Sequence, residues 1–536
     1  MKKIKIFSIL LVGIMLNTLA IGCNETKENI NCDVVPTIYQ DINTINDIDL
    51  YASEVSNLPV ENGIIISPYY IMKINGVTIP VYATRTANGI HSFSYVDVDV
   101  FDETADFSLN TEITILSSSS VLEGSSPEVV VLPESHGIEA KINREKVTAT
   151  INKTGNFSFV FNKSHEEALT IMVASKQELV VPDGYGTRYI EPGDYTTETI
   201  FNVPNNVYYF KSGRYTIDSI YLPSDSILYL EQGAYLKVLP NPDYVTSSIT
   251  ASKANNVVVT GRGLVDYSAC CGSEPGYNNN KSGLNFSQVD NILFEGITII
   301  NSQTWTLCFN DCEGISVKNC LIFGYRMYAD GIMLSDCKNA IVEDSFIRTG
   351  DDAFETKSTT HTGYTDNVLF RNNAAWTDKA VAYGCIYESN QDTQNVRFEN
   401  CSVGFALGTW SNHLGICVIQ MGNRIGAKIY DIQFENIEVY TTYNALLNVF
   451  IGGSGGQGAG YGTVEDIYFK NITAKRNYSY FLNLRTYDNE NCFINDLYLD
   501  NIVSNGEMLT STNYLSNNRI KISAEYDLDK LHINTL

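Results

Sequence analysis

A seven-residue phrase that returns at nearly regular intervals from about residue 255 onward leaves this chain few folds to adopt. It reads Asn-Ile-Leu-Phe-Glu-Gly-Ile from Asn291, Gly-Ile-Ser-Val-Lys-Asn-Cys from Gly314 and Asn-Ala-Ile-Val-Glu-Asp-Ser from Asn339. Further copies start at Asn367, Asn395, Asp431, Asp466 and Asp496, so the intervals are 23, 25, 28, 28, 36, 35 and 30 residues. Periods of this size mark a solenoid, in which each repeat buries its apolar face only against its neighbours. Inside the phrase the apolar residues alternate, as in Ile292 and Phe294 or Val396 and Phe398, which is a strand with one buried face. The sixth position is Gly296, Asn319, Asp344, Asn372, Asn400, Asn436, Asn471 and Asn501 in turn. These residue types tolerate a left-handed backbone. A left-handed residue at one phase of every coil turns one strand into the next, and stacked asparagines can hydrogen-bond along the stack. The pattern therefore predicts an all-β, right-handed parallel β-helix. A leucine-rich horseshoe would need a Leu signature that is missing. Cys320 and Cys401 share one phase beside the corner and read as packing residues.

Weaker coils precede the clear ones, at Val207–Gly213, Ile227–Gly233 and Val257–Gly261. The longer intervals after residue 400 imply inserted loops, among them the glycine-rich run from Gly452 to Gly458. Residues 36–181 differ: short strand-like runs such as Gly76–Ala83 and Lys146–Ile151 alternate with turn residues. They predict an N-terminal β-sandwich that caps the otherwise sticky first coil. The β-helix is expected over 182–536, with the boundary near Pro182-Asp183-Gly184.

The first residues read as an export leader. Lys2, Lys3 and Lys5 precede an apolar run from Ile6 to Ile21, shorter than the ~20 residues of a membrane span. The run ends at Ala20-Ile21-Gly22-Cys23, similar to a bacterial lipoprotein cleavage site. Residues 1–22 are then a signal peptide, Cys23 is the acylated N-terminus and residues 23–35 are a tether. The expected location is the bacterial cell envelope, on either membrane face. A net charge of -25 disfavours nucleic acid, whose binding leans on Lys and Arg. It weakly disfavours a polyanionic substrate, unless a basic cleft overrides the average. Twelve cysteines show no zinc spacing with histidine, and the eleven besides Cys23 cannot all pair.

The chemistry concentrates in Tyr328-Ala-Asp-Gly-Ile332 followed by Arg348-Thr-Gly-Asp-Asp-Ala-Phe-Glu-Thr-Lys357. Asp330 and Asp351 lie 21 residues apart, close to one coil. Coils stack about 4.8 Å apart, so these side chains should lie nearly above one another. Asp352 follows directly, and strict alternation would send it to the other face unless the strand bends at Thr349-Gly350. Three clustered carboxylates repel, which raises the proton affinity of at least one. Glycoside hydrolysis needs that division of roles, one protonated acid and one ionised base. An Asp-Asp pair alone is better read as a turn or a calcium site. The third Asp one coil earlier reverses that preference, and the nearby Lys357 argues against a cation cage.

Asp-Gly-Ile, with Gly-Asp-Asp-Ala-Phe-x-x-Lys one coil later, resembles the polygalacturonase and the dextranase/isopullulanase families (glycoside hydrolase families 28 and 49). Both are β-helix enzymes that invert the anomeric centre. The resemblance implies Asp351 as general acid, Asp330 and Asp352 as the pair that holds and activates water, and Lys357 as the matching basic residue. It is strong over about 285–400 and diffuse elsewhere. Polygalacturonases also carry Gly-His-Gly about one coil after the Asp pair and then Arg-Ile-Lys. Here there is no Gly-His-Gly, and Arg424-Ile-Gly-Ala-Lys428 is a broken echo. Trp376-Thr-Asp-Lys-Ala-Val-Ala-Tyr-Gly384 and the N-terminal sandwich look closer to the dextranase-like layout, which implies an α-glucan. Arg326, Lys357, Trp376, Tyr383, Glu388 and Trp410 are expected to line the substrate groove. Trp305 and Tyr325 are further stacking candidates, and His361 and His413 could lie nearby. No cofactor or metal is expected, and the chain is expected to be monomeric. The alternatives are a pectic-uronate hydrolase, a calcium-dependent lyase and a non-catalytic glycan-binding surface protein.

Overall fold

In the computed structural model the described residues are 33–40, 42, 63–100, 107–123, 126–176, 181–182, 186–195, 206–240, 248–270, 283–302, 304–326, 328–359, 363–408, 415–421, 426–451, 461–486, 491–514, 517–522 and 526–534. From Thr187 to Ile533 one continuous 32-stranded sheet winds as a β-helix. Its pairings are parallel apart from a short hairpin of Cys492–Ser504 with Glu507–Met508. A central coil has three strands: Glu313–Lys318, Leu321–Phe323 and Ile332–Ser335. The next coil repeats them as Lys338–Glu343, Phe346–Thr349 and Phe354–Ser358. Ile315 pairs with Ala340, Leu321 with Phe346 and Ile332 with Phe354. We call the three stacked sheets the long, flank and groove sheets.

The corner predicted from the sixth position of the phrase is present in every copy. Gly296, Asn319, Asp344, Asn372, Asn400, Asn436, Asn471 and Asn501 all have φ between +52° and +77°. The first position of the phrase is left-handed as well, with φ between +46° and +71° from Asn291 to Asp496. The sequence reading missed this second bend, although Asn, Gly or Asp fills it in all eight copies. At the corner Asn436 Nδ2 donates to Asn400 Oδ1 at 2.9 Å, Asn471 to Asn436 at 2.9 Å and Asn501 to Asn471 at 2.9 Å. Each side chain so satisfies the one beneath it. Inside the coil Phe370, Phe398, Phe434 and Phe469 stack with centroids 4.7, 4.6 and 5.3 Å apart. Cys320 and Cys401 are fully buried beside the corner, as expected. All nine described cysteines are free.

Residues 34–175 form two packed sheets, one of seven strands and one of five. Their inner faces interdigitate around Met72, Ile113, Phe157, Phe159 and Leu169. Two expectations need correction here. Val34–Pro36 pairs with Val96–Val98, so the sheet reaches into the segment expected to be tether. Among the described residues the sandwich also lies along the flank sheet rather than over the first coil. Tyr82, Phe93, Tyr95 and Met172 pack against Leu264, Leu321, Phe323, Phe346, Trp376 and Phe405, which spans many coils. The flank sheet is apolar on its outer face too, and a second layer is what buries that face. The leader, Cys23 and the Gly452–Gly458 run lie outside the described residues.

Asn436→Ala should destabilise the chain by about 1–2 kcal/mol, because alanine is strained in the left-handed region and the ladder loses a rung. Asn436→Gly keeps the backbone and should cost less. Urea melts of both variants test this; an alanine variant as stable as the glycine variant would refute the corner account.

Candidate active site

The turns joining the flank sheet to the groove sheet stack on one another as the strands do. Thr306 N–H donates to Asp330 O at 3.0 Å, Gly331 N–H to Asp352 O at 2.7 Å and Ala353 N–H to Val381 O at 2.9 Å. Asp330 and Asp352 are therefore neighbours across adjacent coils, which corrects the expectation that Asp351 lies over Asp330: the strand register is 22 residues, as Ile332 pairs with Phe354, and not 21. The bend expected at Thr349-Gly350 has a steric cause: a Cβ on residue 350 would lie 2.1 Å from Arg326 O, so only glycine fits. Thr349 Oγ1 donates to Asp351 O at 2.8 Å, and Asp352 N–H donates to Asp351 Oδ1 at 3.1 Å. Val381 N–H, from the next turn, donates to Asp352 Oδ1 at 3.0 Å.

A fourth carboxylate completes the cluster. Oxygen atoms of Asp330, Asp352 and Glu355 all lie within 4.8 Å of one another. Asp351 stands outside that trio on the same turn. Lys357 Nζ lies 3.4 Å from Asp330 Oδ2, 3.3 Å from Glu355 Oε2 and 3.3 Å from Glu388 Oε2. Glu355 was not singled out from the sequence. The signal was there: in Phe354–Ser358 the apolar Phe354 points into the coil, so Glu355 and Lys357 alternate onto the groove face. The trio has the donor set of a hard-cation site, but the Lys357 ammonium already supplies positive charge there.

Burial dominates the electrostatics. Burial, then the charges of Asp330 and Asp352, hold the Asp351 carboxyl well above the usual carboxylate range. Asp352 is pushed up to about 7 by burial and by Asp330, against the opposing pull of Lys357 and the Val381 N–H. Burial raises Asp330 as well, while Lys357 and a hydrogen bond with Glu355 pull it down. Glu355 is raised well above its ordinary range by burial, with Lys357 opposing and Asp330 and Asp352 reinforcing. Burial works against the charge of Lys357, yet Glu355, Asp330, Glu388 and Asp352 outweigh it and keep the lysine protonated. The cluster thus holds protons at neutral pH that free carboxylates would have given up.

The structure brings Asp330, Asp351, Asp352, Lys357 and Glu388 together, with Glu388 half-buried at the rim. Arg326 is half-buried, with its carbonyl over Gly350. Two expected groove residues are corrected. Trp376 is 1 % exposed and packs against His91 and Phe405 under the sandwich, because the flank sheet needs bulk there. Tyr383 lies inside the coil, stacked on Phe354, and its hydroxyl donates to Asn373 O and Ser402 O. Trp305, by contrast, is 42 % exposed with its ring 5.7 Å from Lys357 Nζ. Lys428 is on the long sheet, paired with Glu465, so this half of the broken Arg-x-x-x-Lys echo is not at the cluster. Trp410, His361, His413 and Arg424 lie outside the described residues.

Comparison with known proteins decides the family. Residues 210–518, more than half of the chain, match the glycosyl hydrolases family 28. The chain belongs to this family. Among curated members of related sequence, the exopolygalacturonase clone GBGE184 of Arabidopsis thaliana is 25% identical over 236 residues, covering 41% of this chain and 52% of that protein. Polygalacturonase QRT2 of the same plant is 23% identical over 185 residues, covering 31% of this chain and 41% of that protein. The match spans about half the length of these relatives or less. Dex49A from Penicillium minioluteum shares the fold over 95% of this chain and 100% of its own, with TM-score 0.56 and 15% identity. The family match lies on the β-helix and includes the whole carboxylate cluster.

The raised carboxyls make stability depend on pH in a definite direction. Between the ordinary carboxylate value near 4 and the raised folded values, the folded state binds more protons than the unfolded chain, so stability falls as pH rises. Thermal melts should therefore show a lower midpoint at pH 8 than at pH 5.5. Glu355→Gln, which fixes the neutral form, should flatten that slope. An unchanged slope in the variant would mean that Glu355 is ionised in the folded protein.

Proposed function

We propose that this family 28 chain is an inverting glycoside hydrolase acting on a polysaccharide, with Asp351 as general acid and Asp330 and Asp352 as the pair that activates water. One observation supports the assignment above the others. Asp330, Asp352 and Glu355 are too close together to be the two arms of an inverting site, which stand roughly 6.5–9.5 Å apart. They act as a single base unit, and Asp351, outside the trio with its proton held well above the usual range, is the other arm.

Chemistry follows from the proton positions. Asp351 gives its proton to the glycosidic oxygen as that oxygen leaves the anomeric carbon. A water held by the carboxylates of Asp330 and Asp352 attacks the opposite face and loses its proton to that pair. The C–O bond to the leaving sugar breaks, a C–O bond to water forms, and the anomeric configuration inverts. Lys357 keeps the base unit from taking up a second proton too readily. Trp305, exposed beside the cluster, offers a ring face to a sugar.

On substrate, family 28 membership and the two polygalacturonase relatives favour a pectic uronan. Arg326 and Arg85 flank Tyr325 next to the catalytic turn, with guanidinium carbons 5.9 and 4.5 Å from its ring centre. They are candidate contacts for a uronate carboxylate. The second reading is an α-glucan. The absent Gly-His-Gly and the engagement of Lys428 by Glu465 favour it. The leader ending at Cys23 supports lipid anchoring in a bacterial cell envelope.

The soluble protein lacking residues 1–23 should release products from polygalacturonate or from dextran or pullulan, and the product set chooses between the two readings. Asp351→Asn should lower kcat by about 10²–10⁴-fold with substrate binding retained; full turnover in this variant would refute the acid assignment. Wild-type kcat/KM should rise with pH as Asp352 ionises around pH 7, then fall as Asp351 loses its proton. A pH profile flat between 5 and 9 would contradict this division of roles.

A further inference from the structure

Two residues before the catalytic turn, Arg348 is fully buried and points away from the groove, into the seam between β-helix and sandwich. Its Nη2 lies 3.1 Å from Asp378 Oδ1 and its Nε 3.4 Å from Asp378 Oδ2. Nη1 is 3.0 Å from His91 Nδ1 and donates to His165 O at 3.0 Å, while Nη2 also reaches Asn88 O at 3.5 Å. Asn88, His91 and His165 all belong to the sandwich. His91 is buried, and burial together with Arg348 keeps it neutral. Nδ1 therefore accepts from Arg348, and Nε2 carries the proton toward Thr170 Oγ1 at 2.7 Å. Asn88 Nδ2 adds a bond to Asp378 O at 3.4 Å.

Asp378 opens the turn that touches the catalytic carboxylate. Its N–H donates to Thr349 O at 2.9 Å, and three residues on, Val381 N–H holds Asp352 Oδ1. Val381 O receives Ala353 N–H from the other side of the same carboxylate. Residues 378–382 are thus clamped by Arg348 at one end and by the Asp352 turn at the other. From these contacts we infer that the N-terminal sandwich is part of the catalytic apparatus: through Arg348 and Asp378 it positions the turn that orients Asp352. Arg348 and Asp378 are positioning residues and touch no substrate. The idea rests on the catalytic roles proposed above, and it gives the sandwich a task besides burying the flank sheet.

A lysine at 348 keeps a charge but cannot span His91, the His165 carbonyl and both Asp378 oxygens at once. In Arg348→Lys, kcat should fall about 10–100-fold, as for a small displacement of a catalytic group, with KM changed less than about threefold. The groups facing Asp352 are Asp330, Asp351, Glu355, Lys357 and Glu388. None is altered, so loss of the Val381 N–H should move the rising limb of the pH profile upward. Hydrogen exchange should accelerate in residues 378–382 and 350–353 while the long sheet stays protected. Asn88→Ala removes one contact from a half-buried hairpin tip and leaves the fold intact; it should show the same changes at smaller size, about two- to fivefold in kcat. If both variants fold and keep wild-type kcat, pH limb and exchange, the inference fails. If Arg348→Lys does not fold, Asn88→Ala decides in the same way. Asp351→Asn, run alongside, separates the two claims: an active Asp351→Asn overturns the catalytic reading, whereas an inactive one beside an unaffected Arg348→Lys overturns only the positioning role.

Discussion

Everything in this molecule depends on a backbone that turns the same way at the same phase of each coil. Left-handed φ at a non-glycine residue costs of order 1 kcal/mol, and the chain accepts that cost at paired positions in coil after coil. Asparagine makes it tolerable, because its side chain donates to the asparagine below and accepts from the one above. With both bends fixed, inward residues of successive coils must coincide, and the phenylalanine stack follows from that coincidence. Strand pairing, core packing and the alignment of the turns are three results of one dihedral constraint.

The carboxylate cluster inherits this alignment. Two turns from adjacent coils are held in register by the hydrogen bonds that pair their strands, so Asp330 and Asp352 meet without contact in sequence. Placing four acids in one partly dry site is costly, and the cost appears as raised proton affinity. A single ammonium, Lys357, offsets part of it through three carboxylates. A site at this balance holds its protons unequally, Asp351 and Glu355 firmly and Asp352 loosely, and acid–base cleavage of an acetal needs such a division. The seam behind the site uses the same economy: one guanidinium serves an aspartate, a neutral histidine and two carbonyls.

Much of this was legible in the sequence because periodic features announce themselves. The sixth-position asparagines, the gathering of the three aspartates and the bend at Gly350 are consequences of spacing and residue type; the coil spacing of 21 points to Asp351 over Asp330, whereas the strand register puts Asp352 there. Features without a period were not legible. Trp376 reads as a groove residue because an aromatic after a strand looks the same whether it faces sugar or a second domain; only the sandwich on the flank sheet decides. Tyr383 follows the same rule from the inside of the coil. Glu355 was hidden by its neighbours, since a Glu two residues from a Lys reads as a solvated pair until a strand places both over two aspartates. The position of the sandwich along the side had no local signal at all.

The stacking of the turns separates reaction from reach. The carboxylates proposed to move protons sit within the coils spanning residues 326–388, while the groove sheet continues through further coils toward the C-terminus. Each coil adds about 4.8 Å of groove, close to the length of one sugar unit. Inserting or deleting a whole coil away from the carboxylates would alter the length of the groove sheet and leave the carboxylate cluster and Lys357 where they are. The fold is a ruler with a blade fixed at one mark, and its length can drift in evolution independently of its edge.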